Sequence, residues 1–156
     1  MSMVHLAQPG EQQQLEWIGG STFSVLLDSA ATGGQLTVGR FAAEKGEAPP
    51  FHLHTREDEI FMLISGTALV WSGDEDAVEL EEGGIIYLPR NVPHGYRITS
   101  DHADLLMIAT PGGLEGMFRM AGRDLSTPRP AGFELSPELM AKAADEFGQV
   151  VLGPPR

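Results

Sequence analysis

The chain has 156 residues, 42% of them hydrophobic and 21% charged, a composition that suits one folded domain over residues 1–156 and excludes a largely disordered protein. Its 22 acidic against 10 basic side chains give a formal charge of -12, which repels phosphate backbones and anionic membrane surfaces and speaks against nucleic acid or membrane as a partner. Cysteine is absent, so disulfides and thiolate metal sites are excluded and any metal must be held by His, Asp or Glu.

In chain order, residues 1–20 carry no basic region followed by an apolar run, and no later apolar stretch approaches the roughly 18 residues a membrane-spanning helix needs. A cytoplasmic protein is expected. From residue 15 to about residue 110 short β-favouring runs alternate with turn clusters. The runs are Phe23 to Leu27, Leu36 to Ala42, Phe51 to Thr55, Glu59 to Ile64, Thr67 to Trp71, Ile85 to Leu88 and Leu105 to Ala109, and Leu15 to Ile18 reads as a further strand. With 19 glycines and 11 prolines supplying the turns, the rhythm is that of an antiparallel all-β barrel, not of βαβ units. Residues 111–156 change character. A short helical stretch with Leu114, Met117, Phe118 and Met120 precedes a Pro-rich connector from Ser126 to Pro130. A second helix then starts at Ser136-Pro137-Glu138, with a hydroxyl to cap it and a proline at its first position, and Gly148 offers its stop. Leu139, Met140, Ala143 and Phe147 fall on one face of it, which predicts packing against the barrel.

The residues that carry chemistry sit in the middle of the strand region. His52 and His54 are two apart in a predicted strand and therefore point to one side. A tight turn through Arg56, Glu57 and Asp58 would return the chain as a hairpin with Glu59 beside both rings. His94, after the rigid run Leu88-Pro89-Arg90-Asn91-Val92-Pro93, is placed to reach the same point. Nitrogen and carboxylate donors without sulfur suit one divalent Fe, Mn, Co, Ni, Cu or Zn ion. His5 and His102 fall outside this group, His102 within the polar turn 100–104, and both are expected to be solvated. The acidic clusters Asp74-Glu75-Asp76 and Glu79 to Glu82 lack calcium-loop spacing and are expected to be exposed loop charge.

Those four residues also carry a resemblance to the cupin superfamily. The first cupin motif, G-x5-H-x-H-x4-E-x6-G, is matched by Gly46, His52, His54, Glu59 and Gly66, and the second, G-x5-P-x-G-x2-H-x3-N, by Gly83, Pro89 and His94. Asn91 stands where the second motif has Gly and Ile98 where it has Asn; asparagine tolerates positive φ, so the turn survives. The resemblance implies a double-stranded β-helix barrel with a short C-terminal helical segment. It makes His52, His54, Glu59 and His94 the metal ligands, and Phe61, Leu63, Tyr87, Tyr96 and Met107 candidates for the cavity wall. Met117, Phe118 and Met120 are candidates for a lid over the barrel mouth, although such a stripe also suits plain core packing.

The wider arrangement, including Asp58-Glu59-Ile60-Phe61 and the trailing Pro111-Gly112-Gly113-Leu114-Glu115, looks most like bacterial quercetin 2,3-dioxygenase-like cupins. That implies a small-molecule substrate with an enolic or phenolic hydroxyl, Glu59 as the catalytic base, and cleavage of a carbon-carbon bond by dioxygen. A non-oxidative metal-dependent isomerase, cyclase or decarboxylase and a non-catalytic small-molecule-binding cupin remain the alternatives. Small cupins resembling this one often pair through a strand such as Leu15 to Ile18, which predicts a homodimer.

Overall fold

The computed structural model describes residues 4–156, so Met1 to Met3 of the expected domain lie outside the described residues. Twelve strands are present among them: β1 (Gln13–Glu16), β2 (Thr22–Leu27), β3 (Thr37–Glu44), β4 (Phe51–His54), β5 (Asp58–Ser65), β6 (Ala68–Ser72), β7 (Val78–Leu80), β8 (Ile85–Leu88), β9 (His94–Ile98), β10 (His102–Thr110), β11 (Arg123–Asp124) and β12 (Gln149–Gly153). Two helices, α1 (Glu115–Ala121) and α2 (Pro137–Glu146), follow the main run of strands. One sheet has the order β11-β1-β2-β3-β10-β5-β8 and the other β12-β4-β9-β6-β7. All their pairings are antiparallel. Their inner faces share one core, and the result is the double-stranded β-helix barrel with a short C-terminal helical segment that the motifs imply.

Period-two alternation makes the barrel. Along β3 and β10, buried and more exposed residues alternate, so Phe41, Leu105 and Met107 face inward while Arg40 and Asp104 form an ion pair on the outer face. Phe23 stacks on Phe118 of α1 at 3.9 Å between ring centroids, and Trp17 meets the same ring at 4.6 Å. Burying one such aromatic side chain stabilises the fold by about 1.5–3 kcal/mol. These rings therefore fasten α1 to the barrel. Polar contacts fix its position further: buried Glu115 accepts from the Ser29 amide at 2.9 Å and from Thr37 Oγ1, and Arg119 pairs with Asp28 at 3.0 Å.

The second helix forms as its sequence predicts. Ser136 accepts from the Leu139 amide at 3.1 Å, Pro137 occupies the first turn, and Gly148 follows at φ 77°. Its inward face differs from the expected one at two positions, losing Leu139 and gaining Ala144. Met140, Ala143, Ala144 and Phe147 pack inward, whereas Leu139 is exposed, because Met140, one residue further round, leads the 3.6-residue stripe.

Several short strands escaped the sequence reading. β7, β11 and β12 have two to five residues each and exist because longer neighbours pair with them, which no local propensity announces. β1 lies two residues earlier than expected and is not without a partner: it pairs with both β2 and β11. The unpaired edge that motivated a dimer through this strand is therefore absent. His102 is the first residue of β10 instead of a turn residue, opposite Glu44, with which it pairs at 2.9 Å on the surface. His5 is exposed, as expected. No helix of the described residues is long and apolar enough to cross a membrane.

Candidate metal centre

Strand alternation puts His52 and His54 on the inner face of β4, and both are buried. The hairpin expected to bring Glu59 beside them does not form. β4 belongs to the five-stranded sheet and β5 to the seven-stranded one, so residues 55–57 carry the chain across the barrel from one sheet to the other. The consequence for the site is the one the hairpin was meant to achieve, because both strands turn their inner faces to the same interior. His94 opens β9 directly opposite His52 in register. Asn91 in the preceding turn has φ 65°, the left-handed conformation that glycine usually supplies and asparagine tolerates. Its amide donates to the His54 carbonyl at 2.7 Å, which ties this turn to β4.

All four predicted residues meet. One donor atom from each of His52, His54, Glu59 and His94 lies within 4.8 Å of the others, and all four side chains are buried. Two rings have their outer nitrogen engaged: His52 Nδ1 donates to the Pro50 carbonyl at 2.6 Å and His94 Nδ1 to the Val92 carbonyl at 3.1 Å. In that tautomer the Nε2 lone pair of each ring faces inward, the arrangement that orients imidazole as a ligand. Glu59 Oε1 lies 2.9 Å from His54 Nε2 and 3.2 Å from His94 Nε2, yet has no hydrogen bond of acceptable geometry. Buried donors that converge without bonding one another suit a shared cation. The group is compatible with a single divalent metal.

Electrostatics agree with that reading. Burial, reinforced by the neighbouring His94 and His54 charges, pushes His52 down to about 4, so its ring is neutral near pH 7. Burial alone would raise the Glu59 pKa, but the proximity of His54 and His94 outweighs it and holds the carboxyl well below the usual range. Burial is the largest single influence on His54 and pushes it down, but the charge and close contact of Glu59 together with the Glu57 charge outweigh it and raise its pKa. Behind it, the buried carboxylate of Glu57 faces His54 Nδ1 at 4.0 Å, and neither atom has another partner.

The four residues border a cavity of about 410 Å³, within the usual size for a small-molecule site. Of the predicted wall residues, Phe61 and Tyr96 line it. Leu63 and Met107 are buried in the core instead. Tyr87 is 59% exposed, because β8 pairs with β5 so that Leu88 stands opposite the inward Glu59 and its neighbour Tyr87 must point outward. Met117 and Phe118 of the expected lid are buried lining residues, while Met120 packs against the core outside the lining. Trp17, Met140, Gln149 and Val151 also border the cavity. They were not anticipated, since only the fold brings the N-terminal strand, α2 and β12 to the same place. The exposed acidic clusters at 74–76 and 79–82 take no part.

Residues 39–110 match the model of the Cupin domain family. A quercetin 2,3-dioxygenase of Bacillus subtilis is 26% identical over 121 residues, which cover 78% of this chain but 35% of that relative, so the chain spans about a third of its length. Among solved structures, KdgF from a Halomonas species superposes with a TM-score of 0.64 at 16% identity, covering 71% of this chain and 96% of that one. An oxalate decarboxylase of Bacillus subtilis gives 0.57 at 20% identity, covering 65% and 28%. With two sheets wound into one barrel and both motifs inside it, residues 39–110 form a cupin domain.

Proposed function

We propose that this protein is a metal-dependent dioxygenase acting on a small enolic or phenolic molecule, with His52, His54, Glu59 and His94 holding one divalent Fe, Mn, Ni, Co, Cu or Zn ion. The observation that carries the reading is the convergence of four buried donors beside a cavity whose other walls are nearly all apolar. Three imidazoles and one carboxylate leave coordination positions free, as a catalytic rather than a structural site requires. The metal, once bound, would supply Lewis acidity toward the substrate oxygen and, if redox-active, a path for electrons to dioxygen. Glu59 takes the hydroxyl proton of the substrate, and the apolar walls exclude water from the reacting atoms. The likeness to a quercetin 2,3-dioxygenase supports the oxidative branch. Residues 1–156 act here as one domain, the barrel over about 15–110 and the extension over 111–156, in a cytoplasmic setting.

The test is Glu59→Gln, assayed for metal content and oxygen uptake on the same samples with a flavonol across a pH series. If Glu59 is the base, turnover per bound metal falls by about two to four orders of magnitude. Full activity per bound metal, at a pH where the substrate is neutral, removes Glu59 from the proton transfer. Turnover by the wild type without oxygen uptake moves the reaction to the non-oxidative isomerase, cyclase or decarboxylase class.

A homodimer fits a different surface from the one first expected. The outer face of β5 and β8 exposes Met62, Ile64, Ile85 and Tyr87, and β8 is an edge strand. Pairing with a second copy would cover both. Light scattering is expected to give twice the chain mass, reverting to one chain mass in Ile85→Lys; a wild-type monomer at high micromolar concentration rejects the dimer.

A further inference from the structure

The cavity has two halves of different origin. All four candidate ligands lie within residues 39–110, the part that matches the family model. Much of the rest comes from the extension: Met117 and Phe118 from α1, Met140 and Ala144 from α2, Gln149 and Val151 from β12. No Lys, Arg or Asp borders the cavity among the described residues. Tyr96 does border it, but its hydroxyl is committed to Glu47 Oε2 at 2.7 Å. With the four ligands and Tyr96 set aside, Gln149 is the remaining lining side chain that offers both a donor and an acceptor, the Trp17 indole offering a donor alone, and its carboxamide makes no hydrogen bond among the described residues.

The position of Gln149 is set by the sheet. It opens β12 directly opposite His54 on β4, and opposed residues on neighbouring strands turn their side chains to the same face. The strand start is clamped, since the Gly148 carbonyl accepts from the Thr55 amide at 2.9 Å and from Thr55 Oγ1 at 2.8 Å. Gln149 thus stands beside a ligand-bearing strand, half-buried, with a donor and an acceptor free.

We propose that Gln149 is the specificity-determining residue of this cavity. Its carboxamide bonds a neutral oxygen of the substrate next to the reacting one, and the apolar wall from α1, α2 and β12 restricts the substrate to neutral, ring-bearing molecules. Away from the metal positions, small carboxylates, phosphates and sugars are disfavoured, because an anion would find no Lys or Arg on the walls and a polyol would leave most hydroxyls unpaired. This inference rests on the proposed function only for the direction in which the substrate enters.

Calorimetric titration of wild type and Gln149→Leu, each metal-loaded and metal-stripped, separates the two readings. The probes are flavone, which has a ring carbonyl but no enol; flavan, which lacks that carbonyl; 3-hydroxyflavone; and oxalate. Flavone is expected to bind Gln149→Leu about three- to tenfold more weakly than wild type with or without metal, the loss of one neutral hydrogen bond. Flavan should bind both alike, which a merely structural role of Gln149 would not give. In the metal-stripped protein oxalate should bind at least tenfold more weakly than flavone. An unchanged flavone affinity in Gln149→Leu, an equal loss for flavan, or failure of flavone to bind wild type overturns the role of Gln149. Oxalate binding to the metal-stripped protein as tightly as flavone overturns the apolar selection. The extra affinity of 3-hydroxyflavone over flavone, present only with metal, reads the enol-metal proposal by itself, so its absence leaves Gln149 standing.

Discussion

At the scale of single residues, the buried carboxylates divide by what surrounds them. Glu59 sits among imidazoles that favour its charge, whereas Glu47 is pushed up by burial, with the Ser21 and Tyr96 hydroxyls only partly offsetting it. One oxygen of Glu47 has no partner at all. A carboxyl whose folded pKa lies above its unfolded value of about 4.5 contributes stability that is fully present below that value and lost as pH rises through the folded pKa. Glu47→Gln imitates the protonated form. Its melting temperature relative to wild type should therefore climb as pH goes from about 4.5 to neutral, and a difference that stays constant with pH would show that Glu47 is not the titrating group. The four converging donors were legible in the sequence because motif spacing and strand period both point to them. Glu47 and Glu57 were not, since an acidic residue near a turn reads as solvated until the fold closes over it.

At the scale of elements, the extension is held to the barrel by close aromatic packing, and one position shows how close. At Gly116 of α1 the Phe147 ring that follows α2 fills the place a Cβ would take. Gly116→Ala should push Phe147 and α2 outward, costing about 1–3 kcal/mol by denaturant unfolding. Flavone affinity should drop while metal content stays at one per chain, because the ligands stand on β4, β5 and β9 and not on the helices. A parallel loss of metal would mean that the extension and the metal centre are not separable. The cap and first turn of α2 could be read from Ser136 and Pro137, and the long strands from their alternation. The crossing at residues 55–57 could not, since a short polar turn between two strands looks the same whether the strands pair or part to different sheets. Tyr87 was misplaced for the related reason that inward and outward phase on β8 depends on its register with β5.

At the scale of the whole molecule, winding two sheets into one barrel brings residues from positions 52 to 94 to one point, and adding α1, α2 and β12 walls a cavity around it. The barrel and its four converging donors follow from the motifs; the cavity wall depends on residues at both ends of the chain that no motif marks. The central claim is that the four residues bind one metal ion, and elemental analysis of the protein after reconstitution with Fe, Mn, Co, Ni, Cu and Zn in turn tests it most directly. Wild type should hold close to one transition-metal ion per chain and His52→Ala little or none. Chelation should lower the wild-type melting temperature alone, since metal at a hundredfold excess over its dissociation constant adds about 2.7 kcal/mol to the folded state. A wild-type protein that stays metal-free with all six ions, or a His52→Ala variant that holds as much metal as wild type, would contradict the site.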